Sequence, residues 1–181
     1  MRITDKYVFF YKDWLSNYQR TKFKFDVNFN QWINPEYPEG TDASVYEFTS
    51  TEQAFMYYKA LYFDNQELAD KILEEHNPDK CRRMGRQVTR YDDTKWSKIR
   101  YEVFYRLNLA KYTQDSILRK KLLEPKFDDK IFVEASPIDK IWGVGLDENN
   151  PLIDDEYNWK GQNLLGQIIT KIRTKLKNEL E

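Results

Sequence analysis

Thr49-Ser50-Thr51-Glu52-Gln53-Ala54-Phe55-Met56-Tyr57-Tyr58-Lys59-Ala60-Leu61-Tyr62-Phe63 opens the helical part of this chain. Its first four residues fit the Ser/Thr-x-x-Glu capping box, in which a hydroxyl and a carboxylate satisfy N–H groups that a helix start leaves unpaired. The pattern predicts a helix from there to Phe63. Downstream, Asn65–Glu75 reads as a second helix. Pro78 opens a third over Asp79–Gln87, because the first turn of a helix does not need the N–H that proline lacks. Asp92–Tyr112 reads as a long fourth, with Trp96, Ile99, Val103, Leu107 and Ala110 at helical spacing. Asp115–Leu123 is a fifth. Asn163–Leu180 is the last, with Leu164, Leu165, Ile168, Ile169, Ile172 and Leu176 as its apolar stripe.

Strands are expected to be short. Lys6–Tyr11 is rich in aromatics, and Lys22–Asn28 alternates with period two. Val45–Thr49 reads as a strand or an extended lead-in, and Ile131–Glu134 as a brief strand. Asp13–Asn17 is a loop, and Asn34–Asp42 carries the residues of an exposed one. The fold class is mainly α with a few short β-strands. A length of 181 residues favours a single domain, 1–181.

Charged residues make up 33% of the chain and aromatics 16%, so large rings compensate for a modest apolar share in building a core. A net charge of −1 excludes a global basic field that gathers nucleic acid. A local run, Arg82, Arg83, Arg86 and Arg90 around Gly85, is either a solvated face or a phosphate contact. With one cysteine, Cys81, and one histidine, His76, the chain has neither an internal disulfide nor a zinc site of the usual kind. No signal core and no membrane-spanning run is visible. The expectation is a soluble cytoplasmic protein with no membrane partner, no metal and no cofactor, whose chemistry runs on carboxylates, lysine or tyrosine.

Glu52 and Lys59 are seven residues apart, so both project from one side of a helix, about 10 Å apart along its axis. Phe55 and Met56 lie between them. They either frame a reaction site, or Glu52 closes the capping box and Lys59 is solvated. Glu134-Ala135-Ser136-Pro137-Ile138-Asp139-Lys140-Ile141-Trp142-Gly143-Val144-Gly145-Leu146 combines a carboxylate, an indole and two glycines that allow close backbone approach. Asp139 and Trp142 serve either a ribose and its base, or a tight turn with a buried anchor. Trp159-Lys160-Gly161-Gln162-Asn163-Leu164-Leu165-Gly166 follows, and with the first stretch looks like one wall of a small-molecule pocket. Asn163 precedes a helix whose first N–H groups favour an anion, or is only its cap. Trp96 is core or ligand platform. Ser16 and Asn17 bind phosphate or ribose, or form a turn. Asp154-Asp155-Glu156 reads as a solvated acidic loop.

Taken in order, these residues resemble the NADAR, or YbiA-like, family. The motifs are Trp14-Leu15-Ser16-Asn17-Tyr18, Thr51-x-Glu with Lys59 seven residues after Glu52, Gly85-Arg86, and Trp96 before a long helix. The two closing segments, Glu134–Leu146 and Trp159–Gly166, are intact, so the resemblance covers nearly the whole chain. This sequence has Gln53 where the family often has histidine, Met56 where it often has glutamine, and a longer connection over Asn28–Ser44. The resemblance implies a single-domain, YbiA-like helical enzyme acting on nucleotide-derived N-glycosidic bonds. Its substrates would be ADP-ribose-containing nucleotides, ADP-ribosylated guanine in nucleic acid, or ribosylamine intermediates of riboflavin synthesis. A non-catalytic ADP-ribose or NAD reader is the competing class. Glu52 matches the family's proposed catalytic carboxylate. Lys59, Asp139, Trp96 and Trp142 match other active-site positions. Ser16, Asn17, Arg86, Gly143 and Asn163 are carried as substrate-binding candidates.

Overall fold

The computed structural model describes residues 1–26 and 45–180. The loop expected at Asn34–Asp42 lies outside the described residues, as does the long connection after Asn28. In chain order the elements are β1 (Arg2–Ile3), β2 (Tyr7–Phe10), β3 (Phe23–Asp26), β4 (Val45–Phe48), α1 (Thr51–Tyr62), α2 (Gln66–Glu74), α3 (Pro78–Gly85), α4 (Asp93–Gln114), α5 (Ser116–Leu122), β5 (Ile131–Glu134) and α6 (Leu164–Asn178). The chain is mainly helical, with six α-helices among the described residues. None of them is long and apolar enough to cross a membrane. The elements fall into two compact units, Met1–Gln19 with Ser116–Glu181, and Arg20–Asp115.

The first unit is built on a three-stranded sheet of order β1-β2-β5. Every residue of β2 is buried, as a strand covered on both faces requires. It pairs parallel with β5, Tyr7 opposite Ile131 and Phe10 opposite Glu134, and antiparallel with β1. α6 lies against β5 and buries Leu165, Ile168, Ile169, Ile172 and Leu176, which is the predicted stripe without its first leucine. A cluster of Tyr7, Phe9, Val133, Ala135, Val144, Leu146 and Ile153 fills the space beside the sheet, with Trp159 packed on it. Arg173 reaches inward from α6 and donates to the carbonyls of Leu122 and Glu124 and to Asp128. Three short 3₁₀ turns, at Pro125–Phe127, Pro151–Asp154 and Glu156–Asn158, were not expected. The acidic loop is engaged rather than merely solvated, because Asp154 pairs with Arg2 and Glu156 accepts from the Tyr7 hydroxyl.

In the second unit, β3 and β4 pair antiparallel, Phe23 opposite Phe48. α1 is buried on nearly all sides, with nine of its twelve residues out of solvent. It is therefore a central helix rather than an amphipathic surface one. Aromatic rings do most of the packing. Phe48 meets Tyr57 and Tyr58 at centroid distances of 5.5 and 5.9 Å, and Phe55 meets Phe104 at 4.5 Å. Asp92 caps α4 by accepting from the N–H groups of Thr94 and Lys95.

Candidate active site

The start of α1 is capped one residue later than the sequence pattern indicates. Ser50 is the N-cap, and its Oγ accepts from the Gln53 N–H at 3.1 Å. Gln53 closes the box in return, its Oε1 accepting from the Thr49 N–H at 2.8 Å and the Thr49 hydroxyl at 3.0 Å. The Gln53 amide nitrogen donates to the carbonyls of Ile72 and Leu73. These lie in the last turn of α2, where carbonyls lack helical donors. The capping box is thus formed by Ser50 and Gln53. The Glu52 side chain sits in the first turn of α1, only 6% exposed, where the helix terminus favours a negative charge. Its charge reaches the buried Cys81. Burial, with Glu75 and Glu52 adding to it, pushes that thiol up to about 12.

Seven residues on, Lys59 donates from Nζ to the Gly85 carbonyl at 2.9 Å. The same nitrogen lies 4.5 Å from the centroid of the Tyr91 ring. Burial lowers the pKa of this ammonium. The Glu52 carboxylate works against that shift, the Arg86 guanidinium adds to it, and the Asp93 carboxylate opposes it. Glu52 and Arg86 thus both act electrostatically on Lys59. Arg86 is exposed at the end of α3, so its guanidinium is open to a ligand.

The floor between Glu52 and Lys59 is apolar. Phe55 and Met56 are 3% and 8% exposed. Gly85 packs tightly against this floor, since a methyl group on it would stand 2.9 Å from Met56 Cγ and closer still to Met56 Sδ. Trp96 lies beneath the floor, its ring 5.3 Å from Phe55, 5.7 Å from Tyr62 and 6.2 Å from Phe63. At 3% exposure it is core, not a face on which a base can stack.

In the first unit, the two glycine-tryptophan stretches interlock. The Val144 N–H donates to Glu134, Lys160 to Val144, and Gln162 to Lys140. The N–H groups of Asn163, Leu164 and Leu165 donate to the carbonyls of Gly143, Ile141 and Trp142. Of the two readings offered for this helix start, an anion site or a cap, the anion site loses the N–H groups of Leu164 and Leu165, which are engaged with the neighbouring loop. Asn163 itself is left-handed (φ 53°), and its side chain bridges the Glu134 N–H and the Phe132 carbonyl of β5. It is a bracket between α6 and the sheet rather than a substrate contact. Asp139 Oδ1 accepts from the N–H groups of Ile141 and Trp142 at 2.9 and 2.8 Å, which closes the turn that carries the half-buried Trp142. Gly143 has no room for a methyl group, the Glu134 carbonyl being 2.8 Å from where one would be. Ser16 Oγ accepts from the Tyr18 N–H, which makes the Ser16-Asn17 loop a turn closed by its own hydroxyl.

Sequence reasoning missed Tyr91, Asp93 and Arg100, which stand around Lys59 or behind it. Tyr91 follows the basic run and precedes the Asp92 cap. In sequence that position resembles a linker, and its contacts with Lys59, Asp93 and Phe63 set it apart.

A family model described as the NADAR domain matches residues 9–177. An N-glycosidase of Acanthamoeba polyphaga mimivirus is 37% identical over 173 residues, covering 94% of this chain and 96% of its own. A riboflavin biosynthesis protein of Vibrio vulnificus is 29% identical over 120 residues, which is 66% of this chain and 29% of that longer one. The NMR structure of the Escherichia coli protein YbiA superposes with a TM-score of 0.69 at 22% identity, covering 99% of this chain and 89% of that one. The fold is therefore YbiA-like.

Proposed function

Because this chain belongs to the NADAR family, we propose that it is an N-glycosidase that hydrolyses the C1′–N bond of ribosylated nucleobases. ADP-ribose-type substrates are the class we favour, including ADP-ribose on guanine in nucleic acid. The mimiviral relative named N-glycosidase, matched over nearly its full length, supports the reaction class. The observation that carries the reading is Glu52, a carboxylate nearly out of solvent in the first turn of a helix, whose charge reaches Lys59 on the same helix.

Breaking the C1′–N bond leaves positive charge on the ribose ring as the electron pair departs with the base. A carboxylate held in a poorly solvated site stabilises that charge strongly, because little water screens it. In this reading Glu52 also takes a proton from the attacking water, whose oxygen becomes the new C1′ hydroxyl, and the departing base takes up a proton. Arg86 holds phosphate oxygens, for which its planar fork of donors is suited. Lys59 holds a hydroxyl or a phosphate.

The test is incubation with guanine-ADP-ribosylated DNA and with free ribosylated nucleotides, followed by chromatography for released ADP-ribose or base. Glu52→Gln keeps the shape and removes the charge. Loss of turnover in this variant with an unchanged melting temperature is the expected result. Full activity in Glu52→Gln removes this residue from the mechanism. Tight calorimetric binding of ADP-ribose with no turnover of any substrate would favour a reader instead.

A further inference from the structure

Tyr91 is 44% exposed, yet it is held at several points, which a linker tyrosine is not. Its hydroxyl donates to Asp93 Oδ1 at 2.7 Å, and Arg100 Nη1 stands 3.5 Å from the same oxygen. Its ring packs on Phe63 at 5.3 Å. Two residues earlier the backbone is clamped, since Asn65 Oδ1 accepts from the Thr89 N–H and hydroxyl and Asn65 Nδ2 donates to the Thr89 carbonyl. Between clamp and ring, Arg90 takes a left-handed conformation, φ 57°. That conformation costs free energy in a residue with a side chain and persists only where surrounding contacts impose it. The outcome of all these contacts is a ring face turned to Lys59 Nζ at 4.5 Å.

We infer that Tyr91 is a positioning residue for Lys59: its ring covers the ammonium, and Asp93, backed by Arg100, pins its hydroxyl so that the ring stays there. The inference rests on the reading of Lys59 as part of the substrate site.

The charged groups that face Lys59 are Glu52 on its own helix, Arg86 after α3, and Asp93 at the start of α4. Its Nζ donates to the Gly85 carbonyl, and the Tyr91 ring covers a second side. The negative face of the ring favours the charged ammonium, while burial disfavours it. The phenol is itself pushed up to about 12, by burial first and then by Asp93, so it remains a hydrogen donor across the range in which the lysine is charged. Leucine at this place keeps the apolar cover and removes the π face.

The experiment is competitive acetylation of the whole protein with acetic anhydride across pH. The peptide carrying Lys59 is read by mass spectrometry, which gives the pKa of that amine without any substrate. Tyr91→Leu is expected to lower it by about half a unit. Tyr91→Phe retains the ring but loses the hydroxyl that Asp93 pins, and is expected to lower it by less than Tyr91→Leu does. Asp93→Asn, which loses a charge and loosens the ring, is expected to lower it as well. An unchanged or raised value in Tyr91→Leu overturns the inference. Turnover measured in parallel separates the two readings. A Lys59 shift in a protein that cleaves no substrate refutes the glycosidase reading alone, whereas robust turnover with no shift refutes the role of Tyr91 alone.

Discussion

Gly161 lies against Gly143 so closely that a methyl group on Gly161 would overlap the Gly143 carbonyl oxygen, and it would stand only 2.7 Å from the Lys140 Cα. Two loops distant in sequence are joined here backbone to backbone. The hydrogen bonds of Gln162 to Lys140 and Asn163 to Gly143 run alongside the contact.

Gly161→Ala is therefore expected to destabilise the protein by about 3 kcal/mol, since the atoms in the way are main chain and have no rotamer to change. Urea denaturation followed by tryptophan fluorescence measures it. A loss below about 0.5 kcal/mol would mean that the two loops separate readily.

Gly85→Ala meets a side chain instead, that of Met56. Methionine is flexible, so a smaller loss of about 1–2 kcal/mol is expected. Combining it with Met56→Ala should cost less than the two single losses added together, by about 1 kcal/mol. A double-mutant cycle by denaturation reads that coupling, and strict additivity would contradict it.

Gln53→Leu removes the acceptor for Thr49 and the donor for Ile72 and Leu73 in one change. The expected cost is about 2–4 kcal/mol, because buried carbonyls lose their partner. Hydrogen exchange should show the loss at the first turn of α1 and the last turn of α2 together. An unchanged exchange pattern at either end would show that Gln53 does not tie the two helices.

Lys59 gives a pH dependence of definite sign. Burial holds its folded pKa below the ordinary value near 10.5. Below the folded pKa the protein carries the full cost of a buried ammonium. As pH rises towards 10.5, the folded state gives up its proton before the unfolded state does, and that cost is relieved. The stability of the wild type relative to Lys59→Met is thus expected to rise as the pH climbs towards the ordinary lysine value of 10.5. Parallel denaturation curves from neutral pH upward check it, and a falling difference would refute it.

Most elements were legible in the sequence because their signals are local. The period of three to four residues over Asp92–Tyr112 gave α4, Pro78 marked the start of α3, and the run at Ile131–Glu134 gave β5 to the residue. The capping assignment slipped by one position, since Thr49 and Ser50 are both good caps and Gln53 competes with Glu52. Gln53 won because it also reaches two carbonyls on α2, a tertiary contact that no local pattern shows. Glu52, Lys59 and Arg86 became candidates through helix spacing and motif, and the structure shows that the charges of Glu52 and Arg86 act on Lys59. Asn163 stayed open between an anion site and a cap because a free helix start and one whose donors point into a neighbouring loop have the same sequence. Trp96 could be placed in the core only once its three ring neighbours were known.

The parallel pairing of β2 with β5 bears on how the chain is made. Tyr7–Phe10 leaves the ribosome long before Ile131–Glu134, its only parallel neighbour among the described residues. At ordinary elongation rates the delay is on the order of ten seconds. During it, four adjacent apolar residues that end up wholly buried have no neighbour to cover them on that edge. Such a nascent segment is a natural client for a holding chaperone, and a slowly translated message should yield more aggregate than a fast one.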